Sequence, residues 1–322
     1  MAEACVARGW EVHGTIRGFR SDLDNLNAID VDPKLHTCDL TDHAPIARII
    51  RTVKPDYIFH LAAQSYVPDS WNAPRQTMDA NIIGTLNVLE AIRHEHPSAA
   101  FHFAGTSEEY GMVRPEDCPI TEDTPLCPLS PYGVSKVAGD LLTRQYVASY
   151  GIRAVVTRAF NHSGPRRNRV FAESDWCRQA VMAEIDLGPA EIVHGNLDAI
   201  RDYTDVRDIV KGYILAIEKG ESGRVYQLAS GIGRKMQEVL DTIIRECRVP
   251  VTAREDSKRM RPSDVPRLIG SPERAHSELG WKAEIDFGTT IRDLLDYWRD
   301  YFENHSPVVK QPAKKMMFLH PA

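Results

Sequence analysis

A doubly wound, mostly parallel α/β sheet with a smaller C-terminal lobe is the fold class this sequence predicts, and three observations carry it. Short β-branched or aromatic runs alternate with longer segments of helical period, the pattern of parallel strands joined by helical crossovers. The longest helical segment opens at a Ser-Pro pair, a start signal that needs no tertiary context. Beyond about residue 160 the pattern loosens into mixed helices and loops rich in Arg, Asp and Pro, the texture of a substrate lobe.

In chain order, residues 2–8 read as the second half of a helix that runs into a strand at 11–17. Further strands are expected at 35–38, 57–62, 100–104, 153–160 and 225–229, and helices at 42–53, 80–95 and 131–150. Ser130 is placed to cap the last of these helices, and Pro131 suits its first position because its missing N–H would be unpaired there anyway. The expected organisation is a nucleotide-binding domain over 1–160, a substrate lobe over 161–305 with some strands returning to the main sheet, and a tail over 306–322. A doubly wound nucleotide domain opens with a strand and a glycine-rich turn before its first helix. Here the early glycines, Gly9 and Gly14, flank a strand instead.

Composition narrows the function classes. The chain has 322 residues, 26% of them charged, and a formal net charge of −6, which argues against nucleic-acid or anionic-membrane binding driven by bulk charge. No apolar run approaches a membrane span and no basic-then-apolar leader stands at the start, so a cytoplasmic protein is expected. The six cysteines form no C-x-x-C pair and are expected as free thiols. The histidines show no H-E-x-x-H spacing, so no metal site is expected.

One constellation carries chemistry. Tyr132 and Lys136 lie four residues apart near the start of the helix at 131–150, which puts both on one face. An ammonium held near a phenol stabilises the phenolate and makes it a usable base. The same spacing arises by chance on solvated helices, so the pair alone does not decide. However, the strand at 100–104 runs into Thr106-Ser-Glu-Glu-Tyr-Gly111, and hydroxyls at the carboxyl end of a parallel strand sit where such sheets bind ligands. Thr106 or Ser107 can hydrogen-bond a substrate hydroxyl beside Tyr132, and Glu108 adds a carboxylate to the same pocket.

These strings, with Leu61-Ala-Ala-Gln-Ser65, Asn81-Ile-Ile-Gly-Thr85, Phe160-Asn-His-Ser-Gly-Pro165, Gly195-Asn-Leu-Asp-Ala-Ile-Arg-Asp202, Arg261-Pro-Ser-Asp264 and Leu279-Gly-Trp281, follow one another in a specific order. From residue 2 to about 298 the chain resembles the extended short-chain dehydrogenase/reductases. Within them it is most similar to the GDP-mannose 4,6-dehydratase and GDP-4-keto-6-deoxymannose reductase group, with Thr106-Ser-Glu108 closer to the dehydratase version. The resemblance implies a Rossmann-like fold and a 4,6-dehydratase acting on a GDP-sugar. Tyr132, assisted by Lys136 and Thr106, would take the C4 hydroxyl proton as hydride leaves C4 for the nicotinamide. Glu108 would remove the C5 proton and help expel the C6 hydroxyl as water, after which hydride returns to C6. The resemblance also implies a homo-oligomer, a dimer or tetramer.

The strand at 11–17 ends in Arg17 with no acidic residue at its tip, which suits a 2′-phosphate and therefore NADP. A solvated surface cation is the competing reading of Arg17. The resemblance implies NADP as well. It places Asp39 and Leu40 beside the adenine, and Leu61, Ala62, Ala63, Gln64 and His162 with Tyr132 and Lys136 around the nicotinamide half. For the substrate it implies Ser65, Ser107 and Asn161 on the sugar side and Arg201 and Arg261 on the diphosphate, since paired guanidinium–phosphate bonds offset the chain's negative charge. Arg166 and Arg167 read either as a solvated pair or as part of an interface. The family's Gly-x-x-Gly-x-x-Gly turn has no counterpart before residues 2–8, so we expect that the first strand and phosphate loop have been lost from an otherwise intact chain. An NADPH-dependent 4-keto reductase, another nucleotide-sugar epimerase or dehydratase, and a non-catalytic sugar-nucleotide-binding subunit are the alternative readings.

Overall fold

A computed structural model describes residues 1–18, 23–27, 29–260 and 265–305. In chain order its main elements are α1 (Ala2–Val6), β1 (His13–Ile16), β2 (Lys34–Thr37), α2 (His43–Val53), β3 (Tyr57–His60), α3 (Gly84–Glu95) and β4 (Ala100–Thr106). Then come α4 (Pro131–Tyr150), β5 (Arg153–Ala159), β6 (Asn161–Ser163), α5 (Ala172–Glu184), β7 (Glu191–His194), β8 (Ile200–Asp205) and α6 (Val206–Lys219). The last are β9 (Val225–Leu228), β10 (Gly233–Lys235), α7 (Met236–Glu246), β11 (Thr252–Glu255), β12 (Arg267–Leu268) and α8 (Phe287–His305).

Strands β3, β4, β5 and β9 form a parallel sheet in that order, and β1 pairs in parallel with β2. The β4 strand shows why helices cover both faces. Phe101 and Phe103 point into a core shared with Leu89 and Ile92 of α3, Ile46 of α2 and Tyr146 of α4. Ala100 and Ala104, on the alternate face, join Ile209, Tyr213 and Ile217 of α6. The chain is thus a parallel α/β sheet layered between helices, as the alternation of runs predicts. The strand expected at 225–229 appears as β9 and pairs with β5, so residues far down the chain return to the main sheet.

Local signals act where they were read. Ser130 Oγ accepts from the Gly133 amide at 3.0 Å and Pro131 takes the first position of α4, which ends at Gly151 in the left-handed region (φ 70°). Asp42 caps α2 by accepting from the Ala44 amide at 3.1 Å. Two expectations need correction. The helix expected over 80–95 opens instead with a wide π turn, Asp79–Ile83, that carries the buried Asn81 inward. The region after 160 is not only helices and loops. Strands β10, β8 and β12 form a small sheet with β6 beside β8, and β7 pairs with β11. These strands are two to six residues long, too short for a period to show in sequence. A separate core under them joins Trp176 of α5, Leu240 of α7 and Trp298 of α8. The tail over 306–322 lies outside the described residues.

Candidate functional site

A cavity of about 1080 Å³ opens at the carboxyl ends of β4 and β5 and runs beneath α5 and the loop before β8. Such crevices are where open parallel sheets bind ligands, because strand ends leave backbone groups and loop side chains directed outward. The Thr106-to-Ala159 register sets the ends of β4 and β5 side by side, and Asn161 follows two residues after Ala159 at the start of β6.

Thr106 ends β4 and starts a tight turn, Ser107–Glu109. Its Oγ1 accepts from the Glu108 amide at 3.3 Å, and its own amide donates to Glu109 Oε1 at 2.8 Å. This reciprocal cap fixes the direction in which Glu108 leaves the strand. Helix α4 approaches this turn closely. A Cβ at position 133 would lie 2.8 Å from the Glu108 carbonyl oxygen, so the glycine in Tyr132-Gly133 is what allows the approach. Glu108, Thr106, Ser107, Tyr132 and Lys136 all line the cavity.

Lys136 is 4% exposed; its ammonium donates to the Ala104 carbonyl at 2.7 Å and lies over the Phe103 ring. Burial lowers its pKa to about 8, partly opposed by the nearby Glu109 carboxyl. The Tyr132 phenol is pushed well above its ordinary value, chiefly by burial and further by Glu108 and Glu109, while its hydrogen bond with Thr106 pulls it down. The spacing argument put the ammonium next to the phenol. In the fold Lys136 spends its shortest bond on Ala104, and Thr106 is the neighbour that favours the phenolate.

The other sequence-derived residues divide. Leu61, Ala63, Ser65, Asn161, His162 and Arg201 line the cavity. His162 bonds the Phe160 carbonyl at 2.9 Å and is lowered to about 4, first by burial and then by Arg167, so it is a neutral imidazole. Arg201 is buried and donates to the Ile200 and Val265 carbonyls at 3.0 and 2.7 Å. Ala62 is exposed and, like Gln64, lies outside the cavity lining; Gln64 donates its side-chain amide to the Tyr66 carbonyl at 2.8 Å. Leu40 packs toward Gly84 at the start of α3. Asp39 accepts from the Thr41 amide and hydroxyl, bonds that hold its carboxyl below the usual range, and feels the Arg17 charge at the carboxyl ends of β1 and β2. Arg261 lies outside the described residues. Arg166 is ion-paired with Glu3 of α1, and Arg167 with Glu173 at 3.3 Å.

Three further side chains matter. Asn81 Oδ1 accepts from the Gln64 amide at 2.8 Å, and its Nδ2 donates to the Gln64 carbonyl and to Ser135 Oγ. Its string is legible in sequence, but the role is not. Tyr213 reaches the cavity from α6 while packing in the core with Ile209 and Ile217. Arg259, whose guanidinium donates to Asp175 at 2.8 Å, lines the far end. Among the described residues, no group of three His, Cys, Asp or Glu is placed to hold a metal. None of their helices is long and apolar enough to cross a membrane.

The family model described as GDP-mannose 4,6 dehydratase matches residues 1–294. The GDP-mannose 4,6-dehydratase of Vibrio cholerae serotype O1 is 33% identical over 352 residues, covering 96% of this chain and 92% of that protein. The GDP-6-deoxy-D-mannose reductase of Pseudomonas aeruginosa is 34% identical over 244 residues, covering 76% of this chain and 80% of its own length. The structure of the enzyme RMD from Pseudomonas aeruginosa complexed with NADPH superimposes with a TM-score of 0.78 at 31% identity, over 86% of this chain and 93% of that one. By sequence match and by its Rossmann-type sheet, the chain belongs to the GDP-mannose 4,6 dehydratase family.

Proposed function

We propose that the chain is a GDP-mannose 4,6-dehydratase that uses NADP, acting as a cytoplasmic homo-oligomer. The observation that carries this reading is Glu108, a carboxylate that lines the same cavity as Tyr132 and Lys136 and is aimed by the Thr106 cap. A 4-reductase or 4-epimerase needs a Tyr/Lys pair. Eliminating water between C5 and C6 needs an additional acid/base, and Glu108 supplies it.

The nicotinamide half of a dinucleotide suits the mixed lining here, in which Leu61 and Ala63 offer apolar surface and Tyr132, Lys136 and His162 offer polar atoms. Bound there, it would accept a hydride from the sugar and return it. Tyr132 takes the proton of the C4 hydroxyl, with Thr106 hydrogen-bonded to the phenol to share the developing charge. Lys136, anchored on Ala104, keeps a positive charge under the same pocket. Once C4 is a ketone the C5 hydrogen is acidic, and Glu108 removes it and delivers that proton to the departing C6 hydroxyl. Tyr132 then returns the proton it took from the C4 hydroxyl to C5. Asn161 and Ser65 contact the sugar, Ser107 a neighbouring hydroxyl, and Arg201 with Arg261 the diphosphate. The Arg17 cation, beside Asp39, is the contact for a 2′-phosphate.

The test is mass spectrometry of the purified chain with GDP-mannose and catalytic NADP⁺. Loss of one water without net NADPH formation is the expected result. The relationship to the Pseudomonas aeruginosa reductase supports a second reading, an NADPH-dependent 4-keto reductase. Stoichiometric NADPH consumption with a GDP-4-keto-6-deoxy sugar, and no dehydration of GDP-mannose, would select it.

A further inference from the structure

A buried carboxyl behind the proposed catalytic turn has no role in the reaction above. Glu109 is fully buried, and so is Asp140 of α4. Between them lies Arg158 of β5, itself 2% exposed. Two buried carboxyls therefore share the Arg158 guanidinium, and Arg144 reaches Asp140 from the more exposed side.

Arg158 directs its hydrogen bonds away from Glu109. Its Nε donates to Asp140 Oδ2 at 2.9 Å, and its terminal nitrogens reach Asp140 again, the Tyr110 hydroxyl and the Glu122 carbonyl. Asp140 Oδ1 also accepts from Arg144 at 2.6 Å. Glu109 Oε1 is satisfied by the Thr106 amide, but Oε2, though 3.2 Å from Arg158 Nε, receives no hydrogen bond. As a carboxylate, Oε2 would be buried without a hydrogen bond, its charge met only by an Arg158 already paired with Asp140. A proton on Oε2 resolves this: Oε2 and Asp140 Oδ2 converge on the same Arg158 Nε, at 3.2 and 2.9 Å, and Asp140 can accept it. Space is reserved for the arrangement: a Cβ at Gly105 would stand 2.6 Å from Glu109 Oε1.

We propose that Glu109 is a positioning residue that works as the neutral acid, its Oε1 holding the Thr106 amide and its Oε2 hydroxyl donating to Asp140, so that the turn carrying Thr106 and Glu108 is locked to the Asp140–Arg158 pair. The inference rests on the dehydratase reading for what the turn does, but not for the protonation of Glu109. The titratable and charged groups facing this carboxyl are Asp140, with Arg144 beyond it, Lys136 and Tyr132 from α4, Arg158 from β5, and Tyr110 after the turn. Burial and then Asp140 raise Glu109 to about 8, against the pull of Arg158 and the Thr106 amide.

The test compares wild type with Glu109→Gln and Glu109→Leu by three readouts. The protonated-carboxyl C=O stretch in infrared difference spectra is expected in wild type at pH 7, lost above about pH 8, and reduced by both variants. Because the folded value lies above 4.5, the native state binds the extra proton between pH 4.5 and about 8, so wild-type stability falls with rising pH there. The wild-type melting temperature is therefore expected to drop relative to Glu109→Gln across that window. In activity, glutamine keeps both bonds and should hold kcat within about 3-fold at pH 7. Leucine leaves the Thr106 amide unpaired and should lower kcat about 10-fold or more with a smaller change in KM. Absence of the wild-type band, parallel melting profiles for wild type and Glu109→Gln, or equal kcat losses in both variants would overturn the proposal. An inactive wild type that still shows the band would instead sink the dehydratase reading and leave the neutral Glu109 standing.

Discussion

The Asn81 side chain donates to Ser135 Oγ at 2.9 Å across 54 positions of sequence, joining the π turn before α3 to the helix that carries Tyr132 and Lys136. Since Asn81 also brackets the Gln64 amide and carbonyl, one buried amide pins the Leu61–Ser65 loop against α4. Asn81→Ala should therefore leave several buried polar groups unpaired and cost about 2–4 kcal/mol, at roughly 1–3 per stranded group with some relaxation. Urea denaturation would measure it. A larger rise in KM for the dinucleotide than for the sugar nucleotide is also expected, because the loop lines the proposed nicotinamide side.

Glu108→Gln removes the proposed C5 base while leaving its backbone cap with Thr106 in place. Dehydration should vanish, yet exchange of label between a C4-deuterated substrate and the bound dinucleotide should persist, since that step uses Tyr132. Tyr132→Phe should suppress both by at least about 100-fold, the scale of losing a general base. Dehydration at the wild-type rate in Glu108→Gln would remove this carboxylate from the mechanism.

Lys136 keeps its amine at a cost in stability. Its pKa is lowered from 10.5 to about 8 by burial, so between pH 8 and 10.5 the unfolded chain binds the proton that the native state has released. Stability therefore rises with pH through that window, and below pH 8 the native state carries the full penalty of a buried ammonium. Lys136→Met retains the apolar stem and should be more stable than wild type at pH 7, by on the order of 1 kcal/mol after the lost Ala104 bond is counted. The gain should shrink toward pH 10, and the variant should be inactive. Chemical denaturation at pH 7 and pH 10 would show a pH-independent difference if Lys136 were not buried as charged.

Gly133→Ala tests the fit between α4 and the Thr106–Glu109 turn. The added methyl would stand 2.8 Å from the Glu108 carbonyl oxygen and 2.9 Å from the Pro128 side chain, so backbone must move. A loss of about 1–3 kcal/mol is expected, the usual range for overpacking. Activity should fall further than stability alone explains, because the displaced atoms belong to Glu108, the proposed C5 base. Wild-type kcat in this variant would mean that the turn is free to shift without consequence.

Much of this molecule is written locally. Ser130 and Pro131 start α4, Asp42 starts α2, and Phe101 and Phe103 alternate with Ala100 and Ala104 to mark a strand buried on both faces. Each is a near-neighbour relation that no tertiary contact needs to supply. The Tyr132/Lys136 pair and the string around Thr106 and Glu108 are equally local, which is why the core of the candidate site was readable. The short strands β6 to β8 and β10 to β12 were not, since two to six residues held by pairing partners dozens of positions away leave no period behind.

What the sequence determined by itself is therefore the sheet-and-helix alternation, the helix that carries the Tyr/Lys pair, and the family. What only the tertiary structure decided is how charges and hydrogen bonds are shared. It brings Asn81 to Gln64 and Ser135, directs Lys136 to the Ala104 carbonyl, and sets Glu109 and Asp140 together against Arg158. The physical reason is that desolvation and bond satisfaction depend on everything within a few ångströms, and those neighbours come from parts of the chain that linear spacing does not connect.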